Sequence, residues 1–316
     1  MKLIERTFEL TGPEGLGAKP RPERIGLVFT HLHDTLQDAV RMGFLHSSRA
    51  RGRIPAGLKA AAEVHFLGHS ANEAGATLLH FEVPTFGSVA GELFEQNQFW
   101  EDGPKPEQTA FELLGAALSD VRKRQKESNR FDRGMLQRVS SYRRILRRGI
   151  SRIGLPDTSL ADAGAIDEVA VESASELCAA TPAPRRVRVA GRLDLMAAKQ
   201  AVLKLDIKEG VFVTAIWEGA QPVEALKEFF NRDVVIEGTG VFRPSGSLLR
   251  IDADAITFAG VHDEFFRQLP AAQAAPDYQA LTRLRPGEKS PFSKIWGSIP
   301  AEESDEEFAA AVAAFS

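Results

Sequence analysis

The sequence is short of several things, and each shortage removes a class of function. It holds one cysteine, Cys178, in 316 residues. A single thiol cannot build an internal disulfide framework or a cysteine-rich zinc site, and it fits a reducing compartment. No apolar run approaches the roughly 18 residues needed to span a bilayer. Charges at Lys2, Glu5 and Arg6 come too early for the apolar core of a signal peptide. The expectation is a cytoplasmic protein with no membrane partner. Positive charge is not in excess either, since the formal net charge is −4. Nucleic acid would therefore have to be held by a local patch and not by the whole surface. There is no P-loop, no Gly-x-Ser-x-Gly elbow and no His-Glu-x-x-His. Nothing favours catalysis, so no catalytic residue, cofactor or metal is assigned, and the expectation is a non-enzymatic binding protein.

What is present is enough apolar material for a real core, 43% of the chain. Residues 2–11 alternate as an edge strand should. Ile25, Val28, Phe29, Leu32, Leu36, Val40 and Phe44 recur near helical spacing and predict a helix over 23–45. Residues 62–69 and 76–83 predict a hairpin, with Val64, Phe66, Leu79, Phe81 and Val83 turned to the core. Helices are expected over 88–99, 107–124 and 132–149, a strand over 167–171 and a short helix over 173–180. Thr181-Pro182-Ala183-Pro184 then interrupts the chain.

Beyond that break the order is strand, strand, strand, helix, strand, strand, over 185–196, 201–208, 211–217, 222–230, 233–243 and 247–258. This is the element order of an OB-fold barrel. Gly191 and Gly238 fall inside its strands, where such barrels bend tightly. An amphipathic helix at 261–269 and an Ala/Pro/Gln linker follow. The expected fold class is α+β: a mixed α/β domain at 1–180, an OB-like five-stranded β-barrel at 185–260, a helix and linker at 261–284, and a C-terminal helical tail at 285–316.

Two features carry candidate binding chemistry. The first is a basic run over 122–152, in which Arg143/Arg147 and Arg144/Arg148 fall four apart and stack on one helical face. Phosphate binding is its sharp interpretation and a solvated, charge-balanced helix the plain one. The barrel offers Arg188, Arg192, Lys204 and Lys208, with Phe212, Trp217 and Phe242 as aromatics. With eleven Lys/Arg and ten Asp/Glu over 185–260 it is nearly neutral. Nucleic acid bound by the basic helix and the barrel is the alternative function. His65 and His69 share a strand face, and His80 would join them in a favourable hairpin register. Asp252 and Asp254 alternate on one face. Neither set reaches the three or four converging ligands a metal needs.

The second feature is the tail. Ser304 with Glu307 three residues on is a capping box. Asp305, Glu306 and Glu307 occupy the first turn, where the helix dipole favours negative charge. Phe308, Ala311, Val312 and Phe315 share one face. About twelve residues is too short for a stable isolated helix, so it should fold on a surface, its own or a partner's. Upstream, Phe292, Ile295, Trp296 and Ile299 are large apolar groups among turn residues. The run from Ile295 through Trp296-Gly297 and Pro300 to Ser304-Asp305-Glu306-Glu307-Phe308 resembles the toxin-binding C-terminus of VapB-like antitoxins. The rest of the chain resembles bacterial proteins with an OB-like domain. The antitoxin resemblance covers about 25 residues, counted from the sequence. It implies a partner, a small toxin of the PIN-domain ribonuclease class. Phe292, Ile295, Trp296, Ile299, Phe308, Val312 and Phe315 would be its anchors. The antitoxin-like role, part of a toxin-antitoxin system, is the preferred function. Residues 301–316 contain no Lys or Arg, so the basic residue that can plug an acidic nuclease site is missing there.

Overall fold

A strand in the middle of a sheet must pair on both sides, and β1 (Leu3–Thr11) does so. It runs antiparallel to β3 (Thr77–Pro84), from Leu3 opposite Pro84 to Leu10 opposite Thr77, and on its other side to β4 (Arg152–Gly154). With β2 (His65–Ala71) and β5 (Ile166–Asp167) the order is β2-β3-β1-β4-β5. The expected edge strand is therefore the centre. Alternation fixes which face of β1 is buried, but says nothing about how many neighbours it has. Phe8 and Leu10 are buried, and Phe8 meets Phe111 and Phe81 at ring separations of 4.6 and 5.7 Å. The computed structural model describes residues 2–12, 17, 20–49, 54–92, 94, 103–156, 164–198, 201–208 and 210–274. The expected tail anchors all lie outside these residues.

The first long helix, Pro22–Leu45, starts on a proline, which has no N–H to leave unpaired. Its stripe of Val28, Leu32, Leu36 and Val40 is buried at four-residue spacing. It ends at His46, which adopts a left-handed conformation (φ 54°) and donates its N–H to the Met42 carbonyl. The helix Ala110–Arg122 starts from a capping box. Glu112 accepts from the Thr109 N–H at 2.8 Å, and the Thr109 hydroxyl accepts from the Phe111 N–H.

Several expectations need correction. The helix expected over 88–99 is interrupted at Ala90: a single turn, Phe86–Val89, precedes it, residues 91, 92 and 94 are helical, and 93 and 95–100 lie outside the described residues. The strand expected over 167–171 is only Ile166–Asp167, because the Asp167 carboxylate accepts the Ala170 N–H and so starts the helix Glu168–Ala180. Within the hairpin, Leu79, Phe81 and Val83 are buried, but Phe66 is half exposed. A bulge between Phe66 and Gly68 shifts the register, so that His65 faces Glu82 and His69 faces Leu79. Positions 82 and 79 lie on opposite faces of β3, so His65 and His69 do not share a face.

After the proline break the strands are β6 (Arg185–Ala197), β7 (Val202–Lys208), β8 (Val211–Trp217), β9 (Asp233–Phe242) and β10 (Leu248–Phe258). Each end lies within about two residues of its expected place. The pairings close into a ring, β10-β8-β7-β6-β9, with β10 and β9 adjacent and β10 parallel to β8. Gly191 and Gly238 are required by close approach. A side chain at Gly191 would meet the Asp206 carbonyl, and one at Gly238 the Asp252 carbonyl. The expected helix over 222–230 is a 3-10 segment, Val223–Phe229. The expected amphipathic helix over 261–269 is likewise 3-10, Val261–Arg267, with no buried residue.

The proline break changes the sheet but does not separate the cores. Val241 and Leu249 of the ring belong to the apolar cluster of the first region. Residues 1–274 make one compact unit. A buried polar seam lies between the two sheets. Arg250 donates to the His46 carbonyl at 3.0 Å and to Asp132 at 3.2 Å, and Asp132 accepts from the Ser48 N–H and hydroxyl. Burial alone would raise the Asp132 carboxyl. Arg250 beside it, with hydrogen bonds from Ser48 and the Met135 N–H, outweighs that and holds it below the usual carboxylate value.

Candidate nucleic-acid interface

The helix expected over 132–149 is broken at Tyr142, and the break places the arginines. Asp132 caps Arg133–Ser141 by accepting the Met135 N–H. Tyr142 is fully buried, its hydroxyl 2.9 Å from Thr35 and its ring edge-on to His31 at 5.6 Å. A single turn, Arg143–Leu146, follows, and Ile145 is again fully buried. Tyr142 and Ile145 therefore pin the segment from inside. Arg143, Arg144, Arg147 and Arg148 are left exposed around them. Gly149 then turns the chain in a left-handed conformation (φ 88°).

The four arginines, with Ser140 and Ser141, line one open hollow of about 420 Å³. Arg143 donates to the Ser175 hydroxyl at 3.4 Å, and Ser175 donates to Ser140 at 3.3 Å. Among the described residues, none of the four pairs with a carboxylate. Five other arginines of the run behave otherwise, while Lys123, Lys126 and Arg133 make no ion pair among the described residues. Arg122 holds Asp167 at 2.6 Å, Arg124 holds Glu176 at 2.6 Å, and Arg130 holds Asp120 at 2.9 Å. Arg138 bridges Asp34 and Asp38 at 2.9 and 3.0 Å, and Arg152 meets Glu9 at 3.3 Å. The fold thus pairs five arginines of the run and, among the described residues, leaves the four of 143–148 as a contiguous cluster without a carboxylate. Four guanidiniums within six residues create a local positive potential that attracts anions, and each guanidinium can grip a phosphate with two parallel hydrogen bonds. The hollow is open, which suits a long polyanion lying across it.

Three of the four barrel candidates are engaged by neighbouring side chains. Arg188 holds Glu237 at 2.7 Å and lies 5.9 Å from the Phe266 ring centre. Arg192 meets Asp206 at 3.3 Å. The Lys204 ammonium sits 4.2 Å from the centre of the Phe212 ring, and Lys208 is exposed at the end of β7. Of the expected aromatics, Phe242 is buried, Trp217 donates its indole N–H to the Gln221 carbonyl at 2.7 Å, and Phe212 is exposed. Asp252 and Asp254 are occupied by Arg250 and Arg186. Among the described residues no three His, Cys, Asp or Glu converge as metal ligands. Cys178 is half-buried against the first core.

Sequence patterning missed Ser140 and Ser141, although they directly precede the cluster. It also missed Arg24, whose guanidinium lies against Gly149; Arg24 and Gly149 are 125 positions apart, and nothing local links them. No helix of the described residues is long and apolar enough to cross a membrane. Compared with protein-family models, curated proteins and solved structures, the chain matches none.

Proposed function

We propose that this protein binds nucleic acid through the phosphate backbone, with Arg143, Arg144, Arg147 and Arg148 as the principal contacts. The observation that supports this reading is that, among the described residues, four clustered, exposed guanidiniums have no carboxylate partner, while five other arginines of the same run are paired. Phosphate contacts of this kind fix position and give affinity without reading sequence. The pairing of the ring supports reading it as OB-like: the first strand pairs with the second and fourth, and the third runs parallel to the fifth. On this reading the barrel is chiefly a support. Its Val241 and Leu249 help build the core on which the basic segment rests. Filter binding of labelled duplex and single-stranded nucleic acid over a salt series tests the proposal. Binding that weakens steeply with salt is expected, and binding that is absent or indifferent to salt sinks it.

A second reading rests on the tail sequence. The capping box at Ser304/Glu307 and the apolar face of Phe308, Val312 and Phe315 favour a segment that folds on a partner. The antitoxin-like role would place a small toxin there, with Trp296 as the main anchor. Pull-down with the full chain and with a form lacking residues 285–316 tests it. Loss of a partner on truncation supports the role, and retention of every partner removes it.

A further inference from the structure

The segment that carries the arginine cluster has no carboxylate side chain along its length. Between Arg133 and Arg148 the chain holds no Asp or Glu. Its fully exposed positions are 133, 137, 141, 143, 144, 147 and 148, and five of them are arginine, with Gln137 and Ser141 between. Steps of three or four put residues on one side of a helix, and Met135, Leu136, Val139, Tyr142 and Ile145 fill the buried side. The break at Tyr142 keeps the row in line. The Tyr142 N–H donates to the Val139 carbonyl at 3.1 Å, and the Ile145 N–H to the Tyr142 carbonyl at 2.8 Å. In such three-residue turns side chains three apart eclipse, so Ser141 is followed on its own side by Arg144. From 133 to 148 the row runs about 22 Å at the rise of an α-helix. One more arginine joins it at the Arg133 end. A side chain at Gly134 would come within 3.1 Å of Arg49 Nε, so Arg49 lies against the first turn because glycine stands there. The chain at Ser48 is held by Asp132, which accepts from the Ser48 N–H and hydroxyl and also caps this helix. Arg49 and Arg133 are exposed and make no ion pair among the described residues.

We propose that the ligand is a single nucleic-acid strand lying lengthwise along this row, from Arg49 and Arg133 to Arg147 and Arg148. The inference rests on the phosphate-binding reading of the cluster and extends the contact to Arg49, Arg133, Gln137 and Ser141. Steps of three or four residues advance about 4.5–6 Å along a helix, close to the separation of successive phosphates in an extended strand. Over about 22 Å a B-form duplex completes more than half of its roughly 34 Å turn. Each of its strands is then carried round to the far side. A straight row can follow the phosphates of an unwound strand but not those of a duplex strand. Tyr142, the one aromatic residue between 133 and 148, is turned inward, so the row offers bases no ring to stack on. The contact is to the backbone alone, and DNA and RNA strands are held alike.

Fluorescence anisotropy of the full chain with labelled oligothymidylates of increasing length, which do not self-pair, tests it. Wild-type affinity should climb with length until the row is covered, at about six nucleotides, and rise little beyond that. Arg49→Ala with Arg133→Ala should lower affinity for the longer strands by about tenfold at moderate salt. It should also reduce the slope of log K against log salt by about 1.4. A trinucleotide, which the four arginines of 143–148 can hold by themselves, should bind this variant as it binds wild type. Oligouridylates should bind within about threefold of oligothymidylates. Both substituted positions are exposed, so folding should survive, and far-ultraviolet circular dichroism checks this. If the double variant binds every length as wild type does, the row ends at the cluster: the extension fails and the reading of the cluster stands. Tighter binding of a hairpin duplex, or a strong preference for one sugar, overturns the single-strand ligand held by its backbone. A wild type that binds no nucleic acid removes the reading of the cluster and this inference together.

Discussion

Arg188 and Arg192 on β6 and the four arginines of 143–148 carry the same group in opposite circumstances. On β6 each guanidinium faces a carboxylate at 3.3 Å or less, from β9 or β7. On the 143–148 segment no guanidinium meets a carboxylate among the described residues, and Arg143 donates to the Ser175 hydroxyl. A third case is Arg250, buried in the seam and bonded to Asp132, Asp252 and the His46 carbonyl. Residue type alone did not separate these cases. Pairing did, and under the proposed function the three sets do different work: surface balance, anion capture, and cohesion between the two sheets.

The largest effect expected from breaking this contrast belongs to the buried case. Arg250→Ala leaves Asp132 buried without its cation and should cost about 3–5 kcal/mol in urea unfolding, with no direct loss of nucleic-acid contacts. Next comes the cluster. Replacing Arg143, Arg144, Arg147 and Arg148 together by Ala should cut affinity for nucleic acid by about a hundredfold or more at moderate salt. Unfolding stability should change by less than about 0.5 kcal/mol, because the side chains removed are exposed and make no ion pair among the described residues. If that variant instead unfolds easily, the arginines are structural and the contrast fails.

His46 sharpens the seam further. Burial, with Arg250 and Lys204 nearby, pushes its imidazole down to about 4 from an ordinary 6.5. The unfolded chain therefore takes up this proton first as the pH falls. Stability should drop from about pH 6.5 and level off below about pH 4, a loss of about 3 kcal/mol from this group. His46→Asn, which tolerates the left-handed conformation, should flatten that part of the pH–stability curve. Asp132 adds a separate loss at lower pH: its depressed carboxyl stabilises the fold above its unfolded value, and that contribution disappears as it protonates. The smallest effect is expected on β6, where Arg188→Ala with Arg192→Ala should change stability by about 1 kcal/mol or less and binding by less than about twofold. A large binding loss there would move the interface to the barrel.

Some of this was legible in the sequence, for reasons that follow from range. The barrel strands were placed closely because Leu203, Leu205 and Ile207 alternate with polar residues, and alternation is a local signal. The helix break at Tyr142 was not, because the tyrosine is pulled inward by Thr35, 107 positions away. The central place of β1 and the split of His65 from His69 depend on strand partners and on one bulge. The basic run itself was visible, but its division was not. Arg138 finds Asp34 and Asp38 about a hundred residues upstream, and only the fold shows which arginines are left over.

The most direct test of the account is the salt dependence of binding for wild type and for the fourfold arginine-to-alanine variant, plotted as log K against log salt. Loss of four phosphate contacts should reduce the slope by about three. Equal slopes would mean that Arg143, Arg144, Arg147 and Arg148 do not touch phosphate, and would contradict the central claim.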